Sequence, residues 1–156
     1  MSDEKKLAII ATKGSLDWAY PPFILASTAA ALGYQTQIFF TFYGLELLKK
    51  DLNLQVTSLG NPAMPMPVPV PVIIQTIPGM QAMMTSMMKK KMKSKGVASI
   101  EELRDLSIEA EVKMVACQMT VDLFEFDTKG FIDGIEYGGA ATFFEFAGES
   151  DVCLYI

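Results

Sequence analysis

The chain has 156 residues, of which 51% are hydrophobic and 20% charged, a composition typical of one folded domain with a substantial core. Its formal net charge of -5 offers no basic surface, so we expect no nucleic-acid partner. The chain has no histidine, which excludes Cys–His and Ser–His nucleophile pairs and histidine-ligated metal sites. We expect neither a metal nor a cofactor.

The first six residues lead directly into an apolar run and lack the plan of a signal peptide. The uncharged run over residues 18–34 is interrupted by Pro21, Pro22, Ser27 and Thr28, and it favours a buried helix over a membrane span. Two cysteines far apart in the sequence do not suggest a disulfide framework, and a reducing compartment follows. These features predict a cytoplasmic protein.

The first third of the chain alternates between apolar runs and helical segments. Residues 7–11 form a continuous apolar run, typical of a strand buried on both faces. A turn at 12–15 precedes a helix that starts by about Pro21 and Pro22 and ends at Gly33. The sequence then predicts a second strand over 34–40, a turn at 41–44, a short helix over 45–50 and an edge strand over 54–59.

The middle of the chain has a different character. Prolines recur almost every second residue over 61–71, which predicts an extended, exposed loop. Pro78-Gly79 then opens a helix on which six methionines form one stripe, with five lysines near its end and Gly96 after it: Met80, Met83, Met84, Met87, Met88 and Met92; Lys89, Lys90, Lys91, Lys93 and Lys95. We interpret residues 62–95 as an insertion on a single domain that spans 1–156.

The last third returns to alternating helices and strands. Ser99 and Glu102 form a capping box for a helix to about residue 111, with Ile100, Leu103 and Leu106 inward. A strand ending at Cys117, a helix to about 126, a turn and short extended piece over 129–137, a helix over 140–149 and a strand over 152–156 follow. The whole pattern predicts an α/β fold: a three-layer Rossmann-like or flavodoxin-like parallel sheet of about five strands with helices on both faces.

Cys117 is the residue with the clearest chemical potential. It ends a predicted strand and precedes a predicted helix, so it lies at the sheet edge where α/β proteins bind ligands. The helix N-terminus offers free N–H groups and partial positive charge, which stabilise a thiolate. A buried cysteine that packs as a small hydrophobe fits the same pattern, and both interpretations stay open at this point.

Three turns are predicted to meet at this edge and to surround a bound ligand. The predicted binding residues are Thr12, Lys13 and Gly14; Thr41, Tyr43 and Gly44; and Gln118, Met119 and Thr120. Lys13 is a candidate for a positive charge near the thiolate, although a turn lysine is more often solvated. None of the turns matches a nucleotide-binding motif. Cys153, in the last predicted strand, is expected to pack in the core.

Five segments resemble the DsrE/DsrF-like family of sulfur-relay proteins: residues 11–15, 39–45, 115–120, 132–135 and 138–143. The resemblance covers nearly the whole chain, and the Pro- and Met-rich middle resembles a longer subgroup sometimes labelled peroxiredoxin-like. It implies a Rossmann-like fold, frequent homo- or hetero-oligomers, and a cysteine that carries sulfur as a persulfide or bound thiosulfate. That role maps onto Cys117 alone, with sulfur donor and acceptor proteins as its partners.

The resemblance therefore predicts a sulfur carrier or sulfurtransferase that accepts sulfane sulfur on Cys117 and passes it to a partner thiol. One alternative is a non-catalytic adaptor whose Met-rich helix, over 78–95, binds a partner or the surface of a membrane. Another is a thiol peroxidase, which Met114 and its apolar neighbours disfavour because peroxidase sites place Pro and Thr or Ser before the cysteine. The abundance of apolar residues also predicts a homo-oligomer.

Overall fold

The computed structural model describes residues 4–57 and 72–156. Within these ranges five strands form one sheet in the order β4-β3-β2-β1-β5, and all neighbouring strands are parallel. The strands are β1 (Lys6–Ala11), β2 (Gln35–Phe40), β3 (Lys113–Cys117), β4 (Glu136–Gly138) and β5 (Val152–Tyr155). The predicted α/β class and strand number are confirmed.

Helices cover both faces of the sheet, as predicted. They are α1 (Leu16–Ala31), α2 (Val72–Gln75), α3 (Met80–Ser94), α4 (Ile100–Glu109), α5 (Gln118–Leu123) and α6 (Ala140–Ala147), with 3-10 helices at Phe42–Leu48 and Thr128–Gly130. The larger core lies between one face and α1, α4 and α5, whereas the smaller core lies between the other face and α6. Within the described ranges, no helix combines the length and apolarity needed to cross a bilayer.

Cys117 lies at a topological switch point of the sheet. The helix after β3, α5, packs on the larger core through Val121, whereas the helix after β4, α6, packs on the smaller core through Phe143. The chain therefore leaves two adjacent strands toward opposite faces, which opens a crevice at their carboxyl ends. Cys117 and Gly138 are paired at that position.

Helix α1 starts more than one turn before the position predicted from its prolines. Ser15 has an extended backbone and Leu16 begins the helix, so Pro21 and Pro22 lie inside it. The segment around Gln55 packs against the N-terminus of α1. The Leu16 N–H donates to the backbone oxygen of Gln55 at 2.8 Å. That contact supplies one of the acceptors that a helix N-terminus needs.

The predicted edge strand over 54–59 is wrong where the structure describes it. Residues 52–57 form no strand, and 58 and 59 lie outside the described ranges. Side chains of α3 bind the backbone of Val56: its N–H donates to Thr85 Oγ1 at 3.0 Å, and its carbonyl accepts from Gln81 Nε2 at 2.9 Å. These bonds replace the ladder that a strand would require.

The methionine stripe divides into an inner and an outer row. Met84 and Met88 pack against the larger core beside the buried Thr85, whereas Met83 and Met87 are 50% and 57% exposed. The helix is thus attached to the body of the domain along one row. The Pro-rich loop predicted over 61–71 falls outside the described residues.

Helix α4 has the predicted capping box, and of its three predicted inward residues Ile100 and Leu103 face the core. The Ser99 side chain accepts from the Glu102 N–H at 3.1 Å, and the Glu102 carboxylate accepts from the Ser99 N–H at 2.8 Å. Leu106, predicted inward, is half exposed, and Arg104 is buried instead. One guanidinium nitrogen donates to the carbonyls of Leu47 and Lys49, at 2.9 and 2.6 Å, and so holds the end of the first 3-10 helix.

Candidate functional site

The thiol of Cys117 lies at the carboxyl end of β3 and is only 5% exposed. It faces the smaller core, where it packs with Phe39, Val115 and Phe143. Its partner on β4 is Gly138, which has no side chain to cover the sulfur from that direction. The position satisfies the sequence prediction of a strand end that leads directly into a helix.

Residues at the end of β2 and the start of α5 act on the pKa of the Cys117 thiol. Burial alone raises the pKa of the thiol, but the Thr120 hydroxyl and N–H, the Thr41 hydroxyl and the Met119 N–H together lower the pKa below its ordinary value. Each donor stabilises the thiolate more than the neutral thiol. The surroundings of Cys117 therefore favour a nucleophilic sulfur without any histidine.

The two threonines lie side by side, and the backbone that follows β2 holds Thr120. The hydroxyl oxygens of Thr41 and Thr120 are 3.3 Å apart, and the Phe42 N–H donates to Thr120 Oγ1 at 3.2 Å. Phe42 has a φ of 50°, a region that bulky residues seldom occupy. Strain of this kind is found where the surrounding structure fixes a functional geometry.

The predicted turns meet at the sheet edge, but they do not all reach the sulfur. A side chain at Gly44 would overlap the carbonyl oxygen of Ala11, so the first two turns pack backbone against backbone. Gly14 is similarly close to the carbonyl of Tyr43. The Thr12 hydroxyl donates to the backbone oxygen of Ile156 at 2.9 Å instead of turning toward Cys117.

The polar side chains predicted beside the thiolate have separate locations. The Lys13 ammonium lies 3.3 Å from the centroid of the Trp18 ring, and among the described residues no lysine is a cause of the pKa shift of Cys117. Gln118 donates to Asp122 at 2.8 Å along α5. Among the predicted site residues, only Thr41, Met119 and Thr120 supply the donors that lower the pKa of the thiol.

Sequence reasoning missed an aromatic cluster beside the site. The ring of Phe124 stacks on Tyr43, with centroids 5.7 Å apart, and meets Phe42 edge-on at 5.9 Å. All three rings are more than 40% exposed. The two phenylalanines at 124 and 126 were the signal in the sequence that could have indicated this cluster. Helix α5 is too short for a periodic pattern that would show which face of it they extend.

Cys153 is exposed, contrary to the expectation that it packs in the core. It lies on β5, the strand at the edge of the sheet. Helix α6 does not cover the face of the sheet at that edge. Three strand spacings and four residues of register separate Cys153 from Cys117, which corresponds to about 20 Å. The two thiols of one folded chain are too far apart for a disulfide.

Comparison with known proteins identifies relatives over the full length. The model of the DsrE/DsrF/DrsH-like family matches residues 3–155. The chain is 75% identical to the sulfur carrier protein DsrE2 of Allochromatium vinosum, over 99% of both chains. It is 32% identical to the uncharacterized protein YrkE of Bacillus subtilis, over 97% of both chains.

A solved structure supports the fold. The crystal structure of the ychN protein from E. coli matches with a TM-score of 0.55 and 11% identity, over 97% of this chain and 99% of that one. At this identity the match concerns the architecture alone, and it agrees with the five-stranded parallel sheet described above. The sequence matches carry the further conclusion that the chain belongs to the DsrE/DsrF/DrsH-like family.

Proposed function

We propose that this chain is a sulfur carrier in which Cys117 accepts sulfane sulfur and passes it to the thiol of a partner protein. The observation that carries the proposal is the position of the buried Cys117 at the end of β3, opposite Gly138 and at a switch point of the sheet, where Thr41, Met119 and Thr120 lower the pKa of its thiol. The relative with 75% identity, named a sulfur carrier protein, supports the same role.

The reaction needs two exchanges at one sulfur. The Cys117 thiolate attacks the outer sulfur of a donor persulfide; the S–S bond of the donor breaks, and the donor leaves as a thiolate. The new Cys117 persulfide is then attacked at its outer sulfur by an acceptor thiolate, and Cys117 leaves with the electron pair. Thr41 and Thr120 stabilise that leaving thiolate through the same hydroxyls that favour the nucleophile.

Intact mass spectrometry tests the proposal. After incubation with polysulfide, or with thiosulfate, whose outer sulfur is transferred to Cys117 as sulfite leaves, the protein should gain the mass of sulfur, and the gain should disappear under a reductant. Cys117→Ser should abolish the gain, whereas Cys153→Ser should keep it. A loaded protein mixed with an acceptor thiol should return to its original mass. Peroxide consumption without sulfur loading would favour the thiol peroxidase instead.

We also propose a homo-oligomer in the cytoplasm, with peripheral membrane contact through residues 78–95. The exposed methionines Met83 and Met87 lie on the same helix as four exposed lysines, and a fifth lysine follows its end, an arrangement that suits the surface of an anionic bilayer. Light scattering at micromolar concentration measures the first property. Flotation with vesicles of anionic and of neutral lipid measures the membrane contact. If the floated fraction contains as much protein without lipid as with vesicles, the membrane contact is contradicted.

A further inference from the structure

An open groove with an aromatic floor and an acidic wall lies beside the Cys117 site. Tyr43, Phe124 and Phe126 provide the rings, and the groove has a volume of about 570 Å³. Four carboxylates line it together with a single ammonium group: Glu46, Asp51, Glu125 and Asp127; and Lys49. We call this surface the acidic aromatic groove.

The one lysine of the groove shows which chemistry the surface accepts. Lys49 Nζ lies 2.7 Å from a carboxylate oxygen of Glu46 and 5.4 Å from the centroid of the Phe126 ring. A cation thus lies over a ring and against a carboxylate at the same time. Within residues 4–57 and 72–156, Asp51, Glu125 and Asp127 take part in no salt bridge, which leaves their charge for a partner.

A chain of contacts through Phe42 and Thr120 connects the groove with the Cys117 site. Phe42 donates to Thr120 through its N–H, and its ring meets Phe124 at the edge of the groove. Met119 and Leu123, one turn apart on α5, are 61% and 59% exposed. The short segment 119–124 therefore contains a residue that lowers the pKa of the thiol, two exposed apolar side chains and one ring of the groove.

We propose that the acidic aromatic groove binds lysine or arginine side chains that flank the reacting cysteine of the sulfur-exchange partner. We choose basic side chains because of charge complementarity. The groove combines aromatic rings with an excess of carboxylates, and a lysine or arginine side chain interacts favourably with both. The apolar residues of α5 receive the remainder of the partner surface. The inference rests on the proposed sulfur-carrier function and names the kind of partner that the function requires.

The test uses two synthetic peptides of equal length, each with one cysteine as a mixed disulfide with thionitrobenzoate. Lysine and arginine flank the cysteine in one peptide, and glutamate and aspartate flank it in the other. Cys117 of the Cys153→Ser protein attacks the peptide sulfur and releases thionitrobenzoate, whose absorbance gives the rate. At low salt the basic peptide should react at least about tenfold faster, a difference that should shrink near 1 M salt, where the Debye length is about 3 Å.

Substitutions assign the preference to the groove. Glu125→Gln with Asp127→Asn should reduce the rate ratio at least about threefold, and lysine at both positions should reverse the preference. The matched control, Glu101→Gln with Glu109→Gln on α4, removes the same charge elsewhere and should leave the ratio unchanged. Iodoacetamide, which is uncharged, should react equally with all variants, since Cys117 itself is intact.

Two results would overturn the proposal. Equal rates for both peptides at low salt, or an equal effect of the α4 control, would remove the groove from partner recognition. Loss of self-association in the groove variants would assign the surface to a second copy of this chain instead. If Cys117 takes up sulfur from polysulfide and shows no charge preference, the docking proposal alone fails; if it takes up no sulfur, the sulfur-carrier function fails.

Discussion

Thr41 and Thr120 place their hydroxyl oxygens 3.3 Å apart, although one residue follows β2 and the other lies in the helix after β3. Both hydroxyls lower the pKa of Cys117, so the thiolate is stabilised by two separate crossovers of the sheet. The chemistry at the sulfur therefore depends on how the two strand ends are held together.

Removal of either hydroxyl should raise the pKa of Cys117. For Thr41→Val and Thr120→Val we expect the pH profile of iodoacetamide alkylation to move to higher pH, and alkylation to slow at neutral pH. Thr12→Val is the matched control, because its hydroxyl donates to Ile156 instead of the sulfur. An unchanged profile in both variants would show that the N–H groups alone lower the pKa.

The same shift links stability to pH. Because the pKa of Cys117 in the fold lies below that in the unfolded chain, about 8.5 for a free thiol, the thiolate contributes to the free energy of unfolding fully above that value. The contribution is lost as the pH falls through the folded pKa. Urea titrations of wild type and Cys117→Ala across this range should therefore differ more at alkaline than at acidic pH.

Mild oxidation of the monomer should produce no disulfide between Cys117 and Cys153. The sheet order separates them by about 20 Å, and disulfides need Cα atoms within about 7 Å. Peptide mapping after diamide treatment at low protein concentration tests this. An intrachain bridge in natively folded protein would mean that β5 leaves the sheet.

Two adjacent glycines should differ in their tolerance of a methyl group. A Cβ at Gly138 would lie 2.6 Å from the Thr142 hydroxyl oxygen, whereas none of the described atoms is within 4 Å of a Cβ at Gly139. Gly138→Ala should lower the free energy of unfolding by about 1–3 kcal/mol, as overpacking does, and displace α6 from Cys117. Gly139→Ala should cost less than about 1 kcal/mol in the same urea titration.

The two rows of the methionine stripe should separate in a stability measurement. Met84→Ala with Met88→Ala removes side chains that pack on the core and should cost about 1–3 kcal/mol, less than for fully buried methionines. Met83→Ala with Met87→Ala should stay within about 0.5 kcal/mol, since both are exposed. Equal losses would place the outer row in a further interface.

Replacement of Arg104 should loosen the segment that carries the site. Arg104→Met leaves the carbonyls of Leu47 and Lys49 without their donor and should cost about 1–3 kcal/mol. These carbonyls lie at the end of the 3-10 helix that begins at Phe42, next to Thr41. The pH profile of Cys117 alkylation should therefore also change. Arg104→Lys should recover part of the stability.

The sheet and the strand end at Cys117 could be predicted because their signals are local. Apolar runs define β1 and β3, and the Ser99–Glu102 capping box defines the start of α4. Thr41 and Thr120 were placed at the same edge because parallel strands bring their carboxyl ends together. Local pattern and sheet topology were sufficient for these features.

Other features depend on tertiary contacts that no local pattern contains. Residues 54–57 have strand composition, but side chains of α3 bind both backbone groups of Val56, and α1 binds the backbone of Gln55 and Thr57. Arg104 is buried because backbone carbonyls from a distant segment meet it, and Leu106 is consequently turned outward. Cys153 is exposed because β5 lies at an edge, a position that follows only from the complete strand order.

The pairing of β1 with β5 has a consequence for the order of folding. Lys6 and Asp151, 145 positions apart, are hydrogen-bonded at 2.8 Å, and the whole edge strand depends on contacts of similar separation. Closing so long a loop costs entropy before any of its contacts forms, so β1, β2 and β3 should assemble first and β5 should dock late. Amide hydrogens of β5 should accordingly exchange faster than those of β2, because the edge that forms last is also the one that opens most readily.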